Sequence, residues 1–123
     1  MLNFRKILGK TGEETAARFL KKNGCKIIET NYRNKLGEID IIGLDRDVVI
    51  FVEVKTRKDN DCVSPKEAVT PQKQKKVAQV AQAWLKIKKK QDVKARFDVI
   101  AILSDQGKDD VEWVKNAFEL PSR

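Results

Sequence analysis

Histidine is absent from this chain of 123 residues. Its absence removes Ser-His-Asp and Cys-His catalysis and leaves zinc hydrolysis without its usual ligands. Cysteine is scarce too: Cys25 and Cys62 are far apart and lack partnering histidines. They read as reduced thiols of a cytoplasmic protein, not as a staple or a zinc site. No apolar run approaches the length of a membrane span, and the amino terminus carries no signal-peptide pattern. Repeats and low-complexity stretches are missing as well. Residues 1–123 are therefore expected to form one domain around a single core. Any metal would have to be a hard ion on carboxylates, Mg2+ or Mn2+.

What the chain does have is charge. Charged residues make up 36% of it, hydrophobic residues 41%, and the formal net charge is +8. That balance favours a polyanionic partner, nucleic acid before membrane, with DNA ranked ahead of RNA. A lysine-rich solvated surface accounts for the charge alone equally well. Its distribution is more telling, because residues 72–96 carry nine Lys or Arg and one acid, Asp92. The stretch 105–119 is mostly acidic, so the surface is electrostatically directional.

Local signals predict the order α-β-β-β-α-β, an α/β fold with a mixed central sheet flanked by helices. Thr11 followed by Glu14 is a capping-box pattern and Gly24 a suitable stop, which predicts a helix over 11–23. Residues 25–33, with Ile27 and Ile28 at the core, 37–43 and 48–57 read as strands. Asp45-Arg46-Asp47 turns the last two into an antiparallel hairpin. Ser64, Pro65 and Pro71 break the pattern before a second helix, with Thr70 as N-cap and Pro71 at the first helical position. Val77, Val80, Ala81, Trp84 and Leu85 recur at helical spacing, to about Lys89. Arg96–Leu103 is a nearly continuous apolar run, expected as a buried strand. Residues 112–118 fit either a strand or a short helix.

Two of these strands carry charges where a sheet should be apolar, which is costly unless the charges are paired or bind a metal. Residues two apart in a strand face the same way. Phe51, Glu53, Lys55 and Arg57 therefore share one face of their strand, and on the preceding strand Glu38, Asp40 and Ile42 share a face. A short hairpin brings Asp40 opposite or diagonal to Glu53, depending on register. Two carboxylates holding a cation, with a lysine one pleat away, suit phosphodiester hydrolysis. The metal neutralises the phosphate and acidifies a bound water, and the lysine serves that water or the developing charge. A cross-strand ion pair on a solvated sheet is the competing explanation.

Asp40 with Glu53-x-Lys55 on a hairpin after an N-terminal helix resembles the PD-(D/E)XK, restriction-endonuclease-like superfamily. More closely, Gly12-Glu13, Asn31-Tyr32-Arg33, Gly37-Glu38-Ile39-Asp40, Phe51-Val52-Glu53-Val54-Lys55-Thr56-Arg57 and Arg96-Phe97-Asp98 resemble the YraN-like family of small bacterial proteins. The likeness spans roughly residues 9–103. It implies a nuclease core like that of archaeal Holliday-junction resolvases, magnesium ligands at Asp40 and Glu53, and a catalytic lysine at Lys55. The superfamily's proline is absent, with Ile39 before Asp40.

Glu13 lies one turn before Ala16 and Ala17, so its side chain leans toward the sheet. There it would match the extra helix-borne acid of resolvase-like enzymes; the helix dipole explains a first-turn acid equally well. Lys73 stands one turn before Val77 and would contact a phosphate or the acid cluster; a solvated lysine is the competing explanation. Lys76, Arg33 and Arg57 are expected to contact phosphates. Asp98 reads as structural, a partner for Arg96, and Trp84 and Trp113 as core aromatics. The chain is thus expected to be a metal-dependent endonuclease acting on branched or single-stranded DNA. Its alternative is a non-catalytic nucleic-acid-binding accessory of repair or recombination. Cutting a two-fold symmetric junction would require a homodimer.

Overall fold

A computed structural model describes residues 4–57, 69–90, 92–105 and 108–119 of the chain. Cys62, Ser64 and Pro65 lie outside the described residues. The elements run α1 (Phe4–Lys22), β1 (Lys26–Asn34), β2 (Gly37–Asp45), β3 (Val48–Arg57), α2 (Pro71–Ile87), β4 (Lys94–Asp105) and β5 (Lys108–Phe118). The expected α-β-β-β-α-β order is present, and the ambiguous segment at 112–118 is part of a fifth strand.

The sheet has the order β1-β2-β3-β4-β5. The β1-β2, β2-β3 and β4-β5 pairs are antiparallel, whereas β3 and β4 are parallel, so α2 lies on the crossover between them. Parallel neighbours need such a crossover, and the Thr70–Pro71 signal places its helix. Thr70 has extended backbone and its hydroxyl accepts a bond from the Lys73 amide at 3.2 Å, while Pro71 occupies the first turn. At the end of α1, Gly24 adopts φ +90° and the Cys25 amide donates back to the Leu20 carbonyl at 2.9 Å. A side chain at Gly24 would be strained there.

Each face of the sheet buries its own apolar layer. Ile42, Phe51, Phe97 and Val99 pack against Val77, Val80, Ala81 and Trp84 of α2. Ile41, Ile50, Val52 and Ile100 pack against Ala16 and Leu20 of α1. Full burial of such side chains is worth about 1.5–3 kcal/mol each. The alternation Phe51 to one layer and Val52 to the other confirms the parity read from β3. No helix among the described residues is long and apolar enough to cross a membrane.

Two expectations are corrected. Helix α1 starts at Phe4, not near Thr11, so Thr11 and Gly12 lie inside it and no capping box forms there. No proline interrupts the preceding residues, so nothing in the backbone chemistry stops the helix from starting earlier. Gly12 has a reason to be interior: a Cβ on it would come within 2.7 Å of the Thr56 hydroxyl, so its hydrogen seats α1 closely on β3. Ile28, expected in the core, is 41% exposed beside the irregularity between Ile27 and Glu29 on edge strand β1. An edge strand that slips register turns an apolar side chain out to solvent.

Candidate active site

The antiparallel register of β2 and β3 pairs Ile41 with Val52, so the next positions along the ladder are Asp40 and Glu53. They are the first residues beyond the last ladder pair, and Asp40 lies near enough for its charge to act on Glu53. The backbone ladder stops there. Instead, the Val54 amide donates to Asp40 Oδ2 at 2.8 Å, so a side-chain carboxylate takes the place of a strand carbonyl. Backbone donors must be satisfied somewhere, and this substitution lets β2 and β3 part without an orphan.

The parity expected for β2 fails at this point. Ile39 packs in the α2-side layer and Ile41 in the α1-side layer, although regular alternation would put both on one side. On the neighbouring strand, Thr30 pairs with Ile41 and Tyr32 with Ile39, while Asn31 between them adopts φ +54°. Asn is among the few non-glycine residues that tolerate this region. The chain thus bends at Asp40 and at Asn31 together. Regular alternation is therefore broken between Ile39 and Ile41, on either side of Asp40.

Glu53 is 3% exposed, one of two buried charged residues among those described. Lys73 of α2 reaches it, Nζ to Oε2 3.2 Å. The expected contact of Lys73 with the acid cluster is present. Burial, then the negative charge of Asp40, pushes the Glu53 carboxyl up to about 7, with Lys73 and Lys55 pulling the other way. Burial also depresses the Lys55 ammonium, helped by the neighbouring Lys73 amine and opposed by Glu53 and Asp40. For Lys73 burial alone acts downward, but the charge of Glu53 and the bonds to Lys55 and Glu53 outweigh it and raise its pKa. Glu53 thus raises both lysines, while their contact with each other lowers Lys55 and raises Lys73.

Glu13 does face this cluster. Burial and then Asp40 raise its carboxyl above the usual range, while a hydrogen bond with Asn31 works against them. Asn31 is a residue to which sequence reasoning gives no role. A left-handed-tolerant Asn inside a strand otherwise rich in β-formers is its one visible signal.

The phosphate-contact candidates are more dispersed. Lys76 is exposed and lines, with Gly37, Glu38 and Lys73, a groove of about 390 Å³ between the start of β2 and the start of α2. Arg33 is exposed and paired with Glu38 at 2.9 Å. Arg57 is partly buried at the end of β3, and one of its guanidinium nitrogens is buried with no hydrogen-bond partner among the described residues.

Asp98 is structural, as expected, and fully buried. It accepts from Arg96 Nε at 3.0 Å, from the Trp113 indole at 2.9 Å and from the Asn116 amide at 2.9 Å. Arg96 also reaches Asp45 at 2.6 Å. Trp84 is 1% exposed and stands edge-on to Phe51, with 5.9 Å between ring centroids.

The donor set suits a hard divalent cation. Asp40 and Glu53 are oxygen donors brought together against their own repulsion, which a cation relieves. Among the described residues no group of three or more His, Cys, Asp or Glu is placed to hold a metal ion. Magnesium commonly takes one or two carboxylates and completes its shell with water and phosphate, so two protein donors suffice.

A model of the uncharacterised protein family UPF0102 matches residues 12–102. A UPF0102 protein of Geotalea daltonii is 50% identical over 119 residues, covering 96% of this chain and 94% of the relative. One from Desulfosudis oleivorans is 44% identical over 120 residues, covering 97% and 95%. Among solved structures, that of Pyrococcus furiosus SfsA in complex with Ca2+ is similar at a TM-score of 0.43 and 12% identity, over 87% of this chain and 63% of that one. A likeness that loose carries no argument about the site.

Proposed function

The chain belongs to the UPF0102 family, and we propose that it is a metal-dependent endonuclease of the PD-(D/E)XK type, hydrolysing phosphodiester bonds in branched or single-stranded DNA. One observation carries the reading: Glu53 is buried near Asp40, just beyond the last β2–β3 ladder pair, at a cost to its own ionisation. Structural carboxylates are normally placed where their charge is welcome. This one is not.

Asp40 and Glu53 would hold Mg2+ or Mn2+, whose contribution is to neutralise the scissile phosphate and acidify a bound water. The rest falls to the chain. Lys55, its ammonium depressed by burial beside Lys73, is suited to take a proton from the attacking water or to steady charge on the phosphate. Glu13, kept above its ordinary range by burial and Asp40, can orient that water or return a proton. Lys73 holds positive charge at the edge of the groove, where its exposed half can meet the substrate. Arg33, Arg57 and Lys76 supply sequence-independent phosphate contacts, consistent with a net charge of +8.

The test is cleavage of a panel of duplex, single-stranded, flap and four-way-junction DNAs in Mg2+ or Mn2+. Cutting of branched or single-stranded DNA is expected, with Lys55→Ala slower by about 10²–10⁴-fold, as for loss of a general base. If no DNA is cut, or Asp40→Ala and Lys55→Ala cut as well as wild type, the catalytic reading fails. Binding without turnover that survives both chelation and Asp40→Ala points instead to the non-catalytic accessory.

A further inference from the structure

The groove beside Lys73 does not end at α2. Gly37 and Glu38 also line a second concavity of about 460 Å³, formed by the turn between β1 and β2 with Arg33, Lys35 and Leu36. The two share a wall, so one surface runs from Lys73, the partner of Glu53, to the hairpin tip. At that tip Leu36 is 49% exposed. A leucine that contributes so little to the core has a weak folding reason to be there.

The tip is held firmly. Asn34 Oδ1 accepts a hydrogen bond from the Leu36 amide at 2.8 Å, closing a side-chain-capped turn. Gly37 follows at φ +153°, and a Cβ on it would lie 3.4 Å from the Val80 methyl of α2. The hairpin is therefore pinned against α2 with Leu36 projecting. Basic residues surround it: Lys35 beside it, Arg33 behind it and Lys76 across the shared wall. The Arg33–Glu38 pair is solvent-exposed on both sides, so exchanging Glu38 for a phosphate costs little.

We propose that the β1–β2 tip is a wedge for DNA branch points, in which Leu36 packs on the base-pair face exposed at the branch while Arg33, Lys35 and Lys76 hold the flanking phosphates. The charge favours a polyanion, and the projecting apolar side chain favours one that presents a bare base face. Driving a side chain between stacked pairs of continuous duplex costs about a few kcal/mol per step, and an already open branch does not impose that cost. The device would select branched over linear DNA without reading sequence. It rests on the proposed action on DNA but not on cleavage.

Binding of the full chain in EDTA, where nothing is cut, separates the two ideas. Fluorescence anisotropy would compare a four-way junction with a linear duplex of the same arm sequence, for wild type, Leu36→Ser and Leu36→Phe. Wild type should favour the junction by about tenfold, Leu36→Phe should keep that preference, and Leu36→Ser should bring it near parity while linear-duplex affinity stays within about twofold. A 2-aminopurine at the branch should change its fluorescence with wild type and not with Leu36→Ser. The wedge is overturned if Leu36→Ser keeps the preference, weakens both DNAs equally, or if wild type binds neither. Preference through Leu36 without cleavage in Mg2+ would sink the nuclease reading and leave the wedge standing. Cleavage together with an unaltered preference in Leu36→Ser would do the reverse.

Discussion

Glu53 and Asp98 are the two buried carboxylates among the described residues, and the fold treats them in opposite ways. Asp98 is surrounded by donors: the Arg96 guanidinium, the Trp113 indole and the Asn116 amide. Its anion is solvated by the protein itself, and β4 and β5 are locked together through it. Glu53 has Lys73 on one oxygen, a like charge nearby at Asp40, and a pKa pushed up to about 7. Burial alone does not mark a functional acid. Burial without enough donors does, because that charge is left for something else to neutralise.

The largest difference should appear on deletion. Asp98→Ala leaves the Trp113 and Asn116 donors unpaired and takes a partner from Arg96, so it should destabilise by about 3–5 kcal/mol in urea denaturation. A loss near zero would mean that the network around Asp98 is incidental.

Glu53→Gln should move stability the other way, and its sign depends on pH. The folded-state pKa lies above the ordinary value of 4.5, so the folded chain binds more protons than the unfolded chain between there and about 7. Wild-type stability from this group is thus full in acid and lost as pH rises through about 7. In EDTA the Gln variant should match wild type near pH 4.5 and exceed it by about 1–3 kcal/mol at pH 8. Thermal denaturation at the two pH values reads this directly, and equal stability at pH 8 would remove the claim that Glu53 is poised. The far end of the sheet has the opposite sign. A hydrogen bond from Arg96 depresses the Asp45 carboxyl, so its contribution is present above the unfolded pKa and lost as pH falls. The smallest effect should come from Trp113→Phe, which removes one donor from Asp98 and keeps most of the ring: about 1 kcal/mol, again by denaturation.

Much of this contrast is legible in the amino-acid sequence. Strand β3 has the expected bounds, the Thr70–Pro71 cap starts α2, and the pairing of Arg96 with Asp98 follows from their spacing on an apolar strand. These are local signals, each complete within a few residues. The start of α1 is not legible in this way, because a capping pattern at Thr11 and Glu14 does not stop a helix from beginning earlier, at Phe4. The bend at Asp40 is hidden for another reason: it takes two strands to make it, with Asn31 on β1 as the other half. Helical spacing places Lys73 near the site. Its choice of Glu53 over solvent depends on how close α2 lies to β3, which is a tertiary distance. The two lysines and three acids are therefore nameable from sequence, while their division of labour is not.

The most direct measurement is a crystal structure of the chain soaked in Mn2+, read by anomalous scattering. The expected result is a single peak between Asp40 and Glu53, with the Lys73 ammonium moved off the Glu53 carboxylate. No peak there, at a Mn2+ concentration that supports cleavage, would contradict the assignment of this pair as the metal site.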